Sequence, residues 1–466
     1  GEAGVGESEY QYRVLGAYGR FQVGFRNWAF LEFTGRNDWD TRLPAQNRSF
    51  FYPGVNASIV LSDAIPALKS SSTLSYLKVR GSVSKSGNVN LGVYSLEPIF
   101  NIAGGFPYGN LPGFQASSSL NNPNIEPEFV NSKEVGLELS FLRNRVNFEV
   151  SAYHQNNTNQ ILNVQVSRTT GINSATLNAA DFDNKGLEFD LRLTPLVELG
   201  DFRFDFRGNY SLMDSRVNSV YEGLDEIGIS TTTAYGMFAM VGQPAFMLKT
   251  TDYKRDPEGR IIVDEFSGYP SLDPGLKVMG RTLPKHMLGI NPSFSWKGLS
   301  LNLTADYRGG HVVAHGIGPD MDFTGSSLRS GRNGRQRFVV PNSSYFDGSK
   351  YVPNTSILTA NGGYGFYENS NINRGVWSNY VTSAAAWKIR EVALGYSVPS
   401  AILGRTKVVK GATVSLIARN LVTLLPKSNE WTDPEFSNTT GNATGVNNTN
   451  NLPPNRLYGF NVVLEF

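Results

Sequence analysis

Apolar and polar residues alternate with a period of two along many stretches of this chain. Val146, Phe148, Val150 and Ala152 are interleaved with Asn147, Glu149, Ser151 and Tyr153. Leu187, Phe189, Leu191 and Leu193 alternate with Glu188, Asp190, Arg192 and Thr194. Phe202, Phe204 and Phe206 alternate with Arg203, Asp205 and Arg207, and Leu299, Leu301, Leu303 and Ala305 with Ser300, Asn302, Thr304 and Asp306. Successive side chains of a strand point to opposite faces, so each stretch predicts a strand with one apolar and one polar face. The last residues follow the same rule: Tyr458, Phe460, Val462, Leu464 and Phe466 are separated by Gly459, Asn461 and Glu465 among others. The whole pattern predicts about 13 strands, near the roughly 9–11 residues or more that cross a bilayer. They cover residues 10–24, 28–36, 50–61, 74–86, 133–141, 145–156, 183–194, 202–213, 286–296, 299–308, 387–397, 412–420 and 457–466.

The links between these strands alternate in length. Short ones fall at 25–27, 142–144, 195–201 and 297–298, with medium links at 62–73 and 398–411. Long ones fall at 37–49, 87–132, 157–182, 214–285, 309–386 and 421–456. Short periplasmic turns and long extracellular loops are the habit of outer-membrane barrels. A propeller would instead repeat at a near-constant period, and no such repeat is present. The expected fold is therefore an all-β transmembrane antiparallel β-barrel. Its lipid face would carry Phe148, Leu191, Phe204 and Leu301. Its lumen would carry Glu149, Arg192, Arg203 and Asn302, because Arg or Lys facing lipid at the bilayer midplane costs about 2–4 kcal/mol. With the last strand ending in the periplasm, counting back places Gly1 outside the cell. An odd number of strands is then expected before Gly1, with residues 1–7 as loop.

Composition agrees with many short strands and glycine-rich turns: 40% of residues are hydrophobic, 12% are aromatic, and 48 are glycine. The 42 basic and 40 acidic residues nearly cancel, which argues against a nucleic-acid partner. Cysteine is absent, which removes disulfides, thiolate metal sites and cysteine nucleophiles. No apolar run reaches the length of a membrane helix. The chain opens on Gly1 with no signal peptide, which reads as a mature product or a fragment.

The terminal strand with its aromatic end resembles the assembly signal that barrel-insertion machinery reads. Further residues resemble one family. Gly35-Arg36-Asn37-Asp38-Trp39, Leu43-Pro44 and Phe51-Tyr52-Pro53 are similar to a strand–loop–strand signature of SusC/RagA-type TonB-dependent transporters of Bacteroidetes. So are Leu77-Lys78-Val79-Arg80-Gly81-Ser82, Ser86-Gly87-Asn88, Asn184-Lys185-Gly186-Leu187-Glu188 with Pro195, and Val241-Gly242-Gln243-Pro244. Leu394-Gly395-Tyr396-Ser397-Val398-Pro399, Arg419-Asn420-Leu421 and Asp433-Pro434-Glu435 complete the series. The resemblance implies the C-terminal portion of a barrel of about 22 strands around a plug. The plug, the N-terminal strands and the energy-coupling box would then lie outside residues 1–466. It also implies an outer-membrane active importer of oligosaccharides or peptides, with a SusD-like surface lipoprotein as lid and the TonB complex as motor. The barrel would meet lipid and lipopolysaccharide. A porin-like or scaffold barrel in a larger envelope complex, and a soluble glycan-binding β-protein, are the competing readings.

Enzyme chemistry finds little support in the motifs. There is no phosphate loop and no nucleophile elbow. His311 and His315 have metal-like spacing but begin a long glycine-rich loop without a helically placed Glu, so no metal or cofactor is expected. Asp320 and Asp322 read as solvated loop acids. Arg329, Arg332, Arg335 and Arg337 read first as solvated loop charge, with lipopolysaccharide phosphates, a partner or an anionic substrate as alternatives. Asn442-Ala443-Thr444 reads as polar loop composition. Trp39, Tyr235, Tyr253, Trp377, Tyr380 and Trp431 read first, taken singly, as belt or loop-packing rings, with stacking on a sugar or covering a partner as the functional alternative. Tyr458, Phe460, Val462, Leu464 and Phe466 form the candidate assembly signal.

Overall fold

The computed structural model describes residues 9–97, 99–166, 169, 171–221, 223–403, 408–439, 441–451 and 454–466. The expected loop at residues 1–7 lies outside them. Thirteen long strands follow one another in the hydrogen-bonded order of the main sheet. They are β1 (Val14–Phe25), β2 (Ala29–Asp40), β3 (Ser49–Val60), β4 (Leu74–Asn88), β5 (Glu128–Phe141), β6 (Val146–Gln165) and β7 (Ser174–Leu199). The rest are β8 (Phe202–Val220), β9 (His286–Trp296), β10 (Leu299–Gly309), β11 (Ala386–Ser397), β12 (Gly411–Leu424) and β13 (Leu457–Glu465). The chain divides into two compact units. One holds Gly1–Glu188, Asp214–Ile229 and Ala239–Ala245, and the other Phe189–Met213, Ser230–Phe238 and Phe246–Phe466.

In the first unit, β1 to β6 pair antiparallel with their chain neighbours. The register sorts the faces. Phe21, Phe33, Val55 and Val83 are successive partners, and the next row is Gln22, Glu32, Asn56, Ser82 and Glu134. Arg20 donates to Glu32 at 2.5 Å, Lys78 to Glu138 at 2.9 Å, and Arg80 to Glu149 at 3.0 Å. Glu149 thus shares the charged face, while its neighbour Phe148 pairs with Leu139 on the other.

The second unit repeats the arrangement. Phe204, Phe294, Leu301, Leu394, Leu416 and Phe460 form one unbroken row across β8 to β13. The rings of Phe204 and Phe294 stack at 4.4 Å. Arg203 pairs with Asp205 on the reverse face, and Asn302 with Ser293. Opposite polarity on the two faces is therefore a property of both units.

Several strands run further than the alternation predicts. β6 continues to Gln165, and β7 begins at Ser174 and passes through Pro195 to Leu199. At the predicted ends and just beyond them, polar groups of the two strands bind each other. Asn156 donates to Asp183 at 2.9 Å, and the Asn159 backbone to Asp181 at 2.8 Å. A ladder can continue past the apolar zone, where no face needs to be apolar, so the period-two signal fades before the strand does.

The long connections are folded rather than plain loops. In the first unit, residues 89–127 contain the hairpin of Phe100–Ile102 with Phe114–Ala116. That connection is seated on a core of Leu43, Phe50, Val89, Leu91, Ile125 and Ile161. In the second unit, Val312–His315 pairs antiparallel with Val381–Ser383 and parallel with Val446–Asn447. The link at 62–73 holds two short helical turns, Leu61–Ala64 and Pro66–Lys69.

Candidate functional site

The connections of the second unit meet in a buried knot. Its centre is Asp322, on helix α1 (Ile317–Thr324), which Gly325 ends in the left-handed conformation at φ 69°. Asp322 accepts from Arg329 Nε at 3.1 Å, Tyr380 Oη at 2.8 Å, Asn373 Nδ2 at 2.8 Å and Ser327 Oγ at 2.6 Å. Arg329 also donates to the Asn379 carbonyl at 3.2 Å. Its guanidinium lies 4.6 Å from the Tyr380 ring and 5.0 Å from Trp431. Asn379 donates to Tyr253 Oη at 2.8 Å, and burial pushes that phenol up to about 12. The Trp377 ring lies tilted against Tyr235 with centroids 4.2 Å apart. Thr251 donates to the Gly375 carbonyl at 2.6 Å, and Ser378 to Asp252 at 2.7 Å.

The knot therefore joins segments near residues 235, 251–253, 322–329, 373–380 and 431. Six of the loop candidates, Tyr235, Tyr253, Arg329, Trp377, Tyr380 and Trp431, come together in it. Two expectations are corrected. Asp322 and Arg329 are not solvated loop charges: their side chains are 0% and 15% exposed and form a buried pair. Tyr253 and Tyr380 are buried and present no ring to a ligand. A buried pair needs every lone pair and proton satisfied, and the hydroxyl and amide donors around Asp322 supply that. Asp320, by contrast, is exposed.

The remaining candidates lie elsewhere. Arg332 reaches Glu430 at 2.6 Å with its side chain 57% exposed. Arg335 donates to the Gly325 carbonyl at 2.9 Å and Arg337 to the Thr359 carbonyl at 2.6 Å. Trp39 is exposed near the end of β2 in the first unit, beside buried Asp38 and Asp40. Tyr458, Phe460, Val462 and Leu464 lie exposed along β13, with Phe466 just beyond it.

Both ring nitrogens of His315 are taken up by neighbouring side chains. His315 is fully buried on a short strand, with Thr382 Oγ1 2.8 Å from Nε2 and the Asn447 amide donating to Nδ1 at 3.0 Å. Burial holds its pKa down to about 4. No metal-binding cluster occurs among the described residues.

A second ionic group sets two strand cations against two loop acids. Lys388 Nζ lies 2.6 Å from both Asp433 oxygens and 2.5 Å from Glu435. Arg390 binds Glu435 at 2.7 and 2.8 Å and also pairs with Asp306. A bulge places Arg390 as the extra residue opposite the step from Thr304 to Ala305. Beside the group opens a cavity of about 220 Å³. The available signal was the basic pair Lys388 and Arg390 on one strand face, matched by the spaced acids Asp433 and Glu435.

With this geometry in hand, known proteins add the family. The family model described as TonB dependent receptor-like, beta-barrel, matches residues 4–421. The chain belongs to the TonB-dependent receptor β-barrel family. Members are outer-membrane barrels, and this chain sits in the bacterial outer membrane as they do. TonB-dependent receptor P26 of Formosa agariphila is 26% identical over 94% of this chain and 44% of its own length. TonB-dependent receptor P3 of the same organism is 19% identical over 84% of this chain and 39% of its own length. The chain thus spans less than half of the curated relatives it matches. Among solved structures, the RagAB peptide transporter aligns with a TM-score of 0.75 and 19% identity. That alignment covers 98% of this chain and 47% of that one, which shows a shared fold.

Proposed function

We propose that this chain is wall and outer-loop structure of an active outer-membrane importer of oligosaccharides or peptides. The observation that carries the reading is the asymmetry of the connections within each unit. One end of the strands has tight turns such as 297–298, and the other has long folded segments such as 310–385. Such an end suits capture, because binding residues concentrate on loops held by a rigid scaffold. The apolar rows of Phe204, Leu301 and their partners face lipid in this reading, and the charged rows face the lumen. A SusD-like lipoprotein covers the long connections as a lid. The TonB complex engages a part of the protein outside residues 1–466, where the plug also belongs. The barrel-assembly machinery reads Tyr458 to Phe466, and lipopolysaccharide surrounds the rim.

The test is uptake. Deleting the gene in its host should abolish entry of a labelled oligosaccharide or peptide, and so should loss of the proton gradient that drives TonB. The full-length protein should co-purify with a surface lipoprotein. Uptake that persists without the gradient would replace this reading with a porin-like barrel.

A further inference from the structure

The Asp433-Pro434-Glu435 segment brings a single loop carboxylate against three cations. Glu435 is bound by Arg390 through two nitrogens at 2.7 and 2.8 Å and by Lys388 at 2.5 Å, and it lies 3.3 Å from Arg308. The three cations stand on β10 and β11. Glu435 hangs from a stretch without regular structure. The adjoining cavity of about 220 Å³ is also lined by His311, Ser437 and Thr444. His311 Nδ1 is buried without a hydrogen-bond partner. That ring is neutral near pH 7, because burial first and then Arg308 hold its pKa down to about 4.

We propose that this cavity is a carboxylate subsite and that Glu435 is its resident occupant. A carboxylate on the cargo displaces Glu435 from Arg390 and Arg308 and so loosens the segment around residues 431–437. The inference rests on the transport reading only in taking the bound acid to be cargo.

Charge balance favours an acid over a neutral ligand. Arg308, Lys388 and Arg390 are matched by Asp306, Asp433 and Glu435. Exchanging one carboxylate for another preserves that match, whereas a neutral group entering in its place would leave a partly buried cation unpaired. The paired nitrogens of Arg390 already hold a carboxylate in the two-pronged manner that guanidinium favours. Whole small-molecule pockets run to roughly 300–1,000 Å³, so this smaller space suits one end of a cargo. The free C-terminus of a peptide and the acid of a uronate sugar present the same group.

The experiment is calorimetric titration of the full-length protein in detergent with two pairs of probes. Trialanine is compared with its C-terminal amide, and digalacturonic acid with a neutral galactose disaccharide. In one pair the acid should bind about tenfold tighter or more, and that pair identifies the source of the carboxylate. Glu435→Gln should tighten the acid by about a further tenfold and leave the neutral partner unchanged. Glu435→Asp, which keeps the charge but shortens the reach, should give a smaller gain. A segment that is only structural would show no such gain. Adding the preferred acid to the unmutated protein should speed hydrogen exchange at 431–437, a readout that needs no variant to fold. Equal binding of acid and neutral probes in both pairs overturns the proposal, as does unchanged exchange at saturation. Uptake without acid preference removes the subsite and keeps the transport reading. Acid preference in a protein that imports neither cargo does the reverse.

Discussion

The hairpin of Phe100–Ile102 with Phe114–Ala116 and the knot around Asp322 handle aromatic residues in opposite ways. On the hairpin, Phe100 is 72% exposed and Tyr108 78%, with Phe114, Leu111 and Ile102 similarly bare. In the knot, Tyr380 is fully buried and Tyr253 nearly so. Both segments read alike in sequence, as glycine-rich and asparagine-rich connections with scattered aromatics. The difference lies in ionic anchors. No lysine or arginine occurs between Lys85 and Lys133, so the hairpin has no cation to bind a buried acid or to stack on a ring. The knot has Arg329, which pairs with Asp322 and lies over two rings. The ends of the connection are seated on the core at Leu91 and Ile125, but the hairpin between residues 100 and 116 carries no charge and its apolar side chains stay bare.

The largest effect should come from cutting the anchor. Asp322→Ala leaves Arg329 buried and unpaired, and breaking such a pair costs about 3–5 kcal/mol. Hydrogen exchange across 317–335 and 373–380 should rise sharply while the first unit's hairpin stays unchanged. Normal protection of the knot would show that the rings, not the ion pair, hold it.

Acid sharpens the same contrast. His315 is neutral and fully buried, with its pKa held near 4. An unfolded His titrates near 6.5, so the unfolded form binds more protons between those values. The stabilisation is complete above about pH 6.5, and roughly 3 kcal/mol is lost as pH falls towards 4. The hairpin connection contains no histidine and should keep its exchange pattern over that window. His315→Gln should flatten the knot's response, and a steep response in that variant would assign it to another group.

The wall supplies a reference for both regions. Leu301→Arg, on the apolar row, should cost about 2–4 kcal/mol of membrane insertion, whereas Asn302→Arg next to it should cost little. Heat-modifiable mobility on a gel reads both. Equal loss from the two would mean that the apolar row does not face lipid.

The smallest change in stability should come from the hairpin. Tyr108→Ser and Phe114→Ser should alter folding by no more than about 0.5 kcal/mol, as surface substitutions do. Under the proposed function they should nevertheless weaken co-purification of a surface lipoprotein. Unchanged capture with both substitutions would leave the exposed rings without that role.

The strand wall was legible from one-dimensional periodicity, because each membrane-crossing strand must present one solvent to each face. Phe204 and Arg203, or Leu301 and Asn302, need no partner to declare their sides. Helix α1 was nearly legible: Pro319 and Asp320 near its start and Gly325 just past its end are ordinary start and stop signals. The knot was not. Asp322, Arg329, Tyr380 and Trp431 are separated by up to a hundred residues or so, and nothing local tells a solvated arginine from one under two rings.

The sequence by itself therefore determined the alternating strands, their antiparallel order, their two faces and the family. Only the tertiary structure decided which connections bury their aromatics, which charges pair, and that Lys388 and Arg390 meet Asp433 and Glu435 beside a cavity. The physical reason is range. Strand periodicity is imposed residue by residue through the backbone, whereas burial of a charge depends on partners that only folding brings within hydrogen-bond distance.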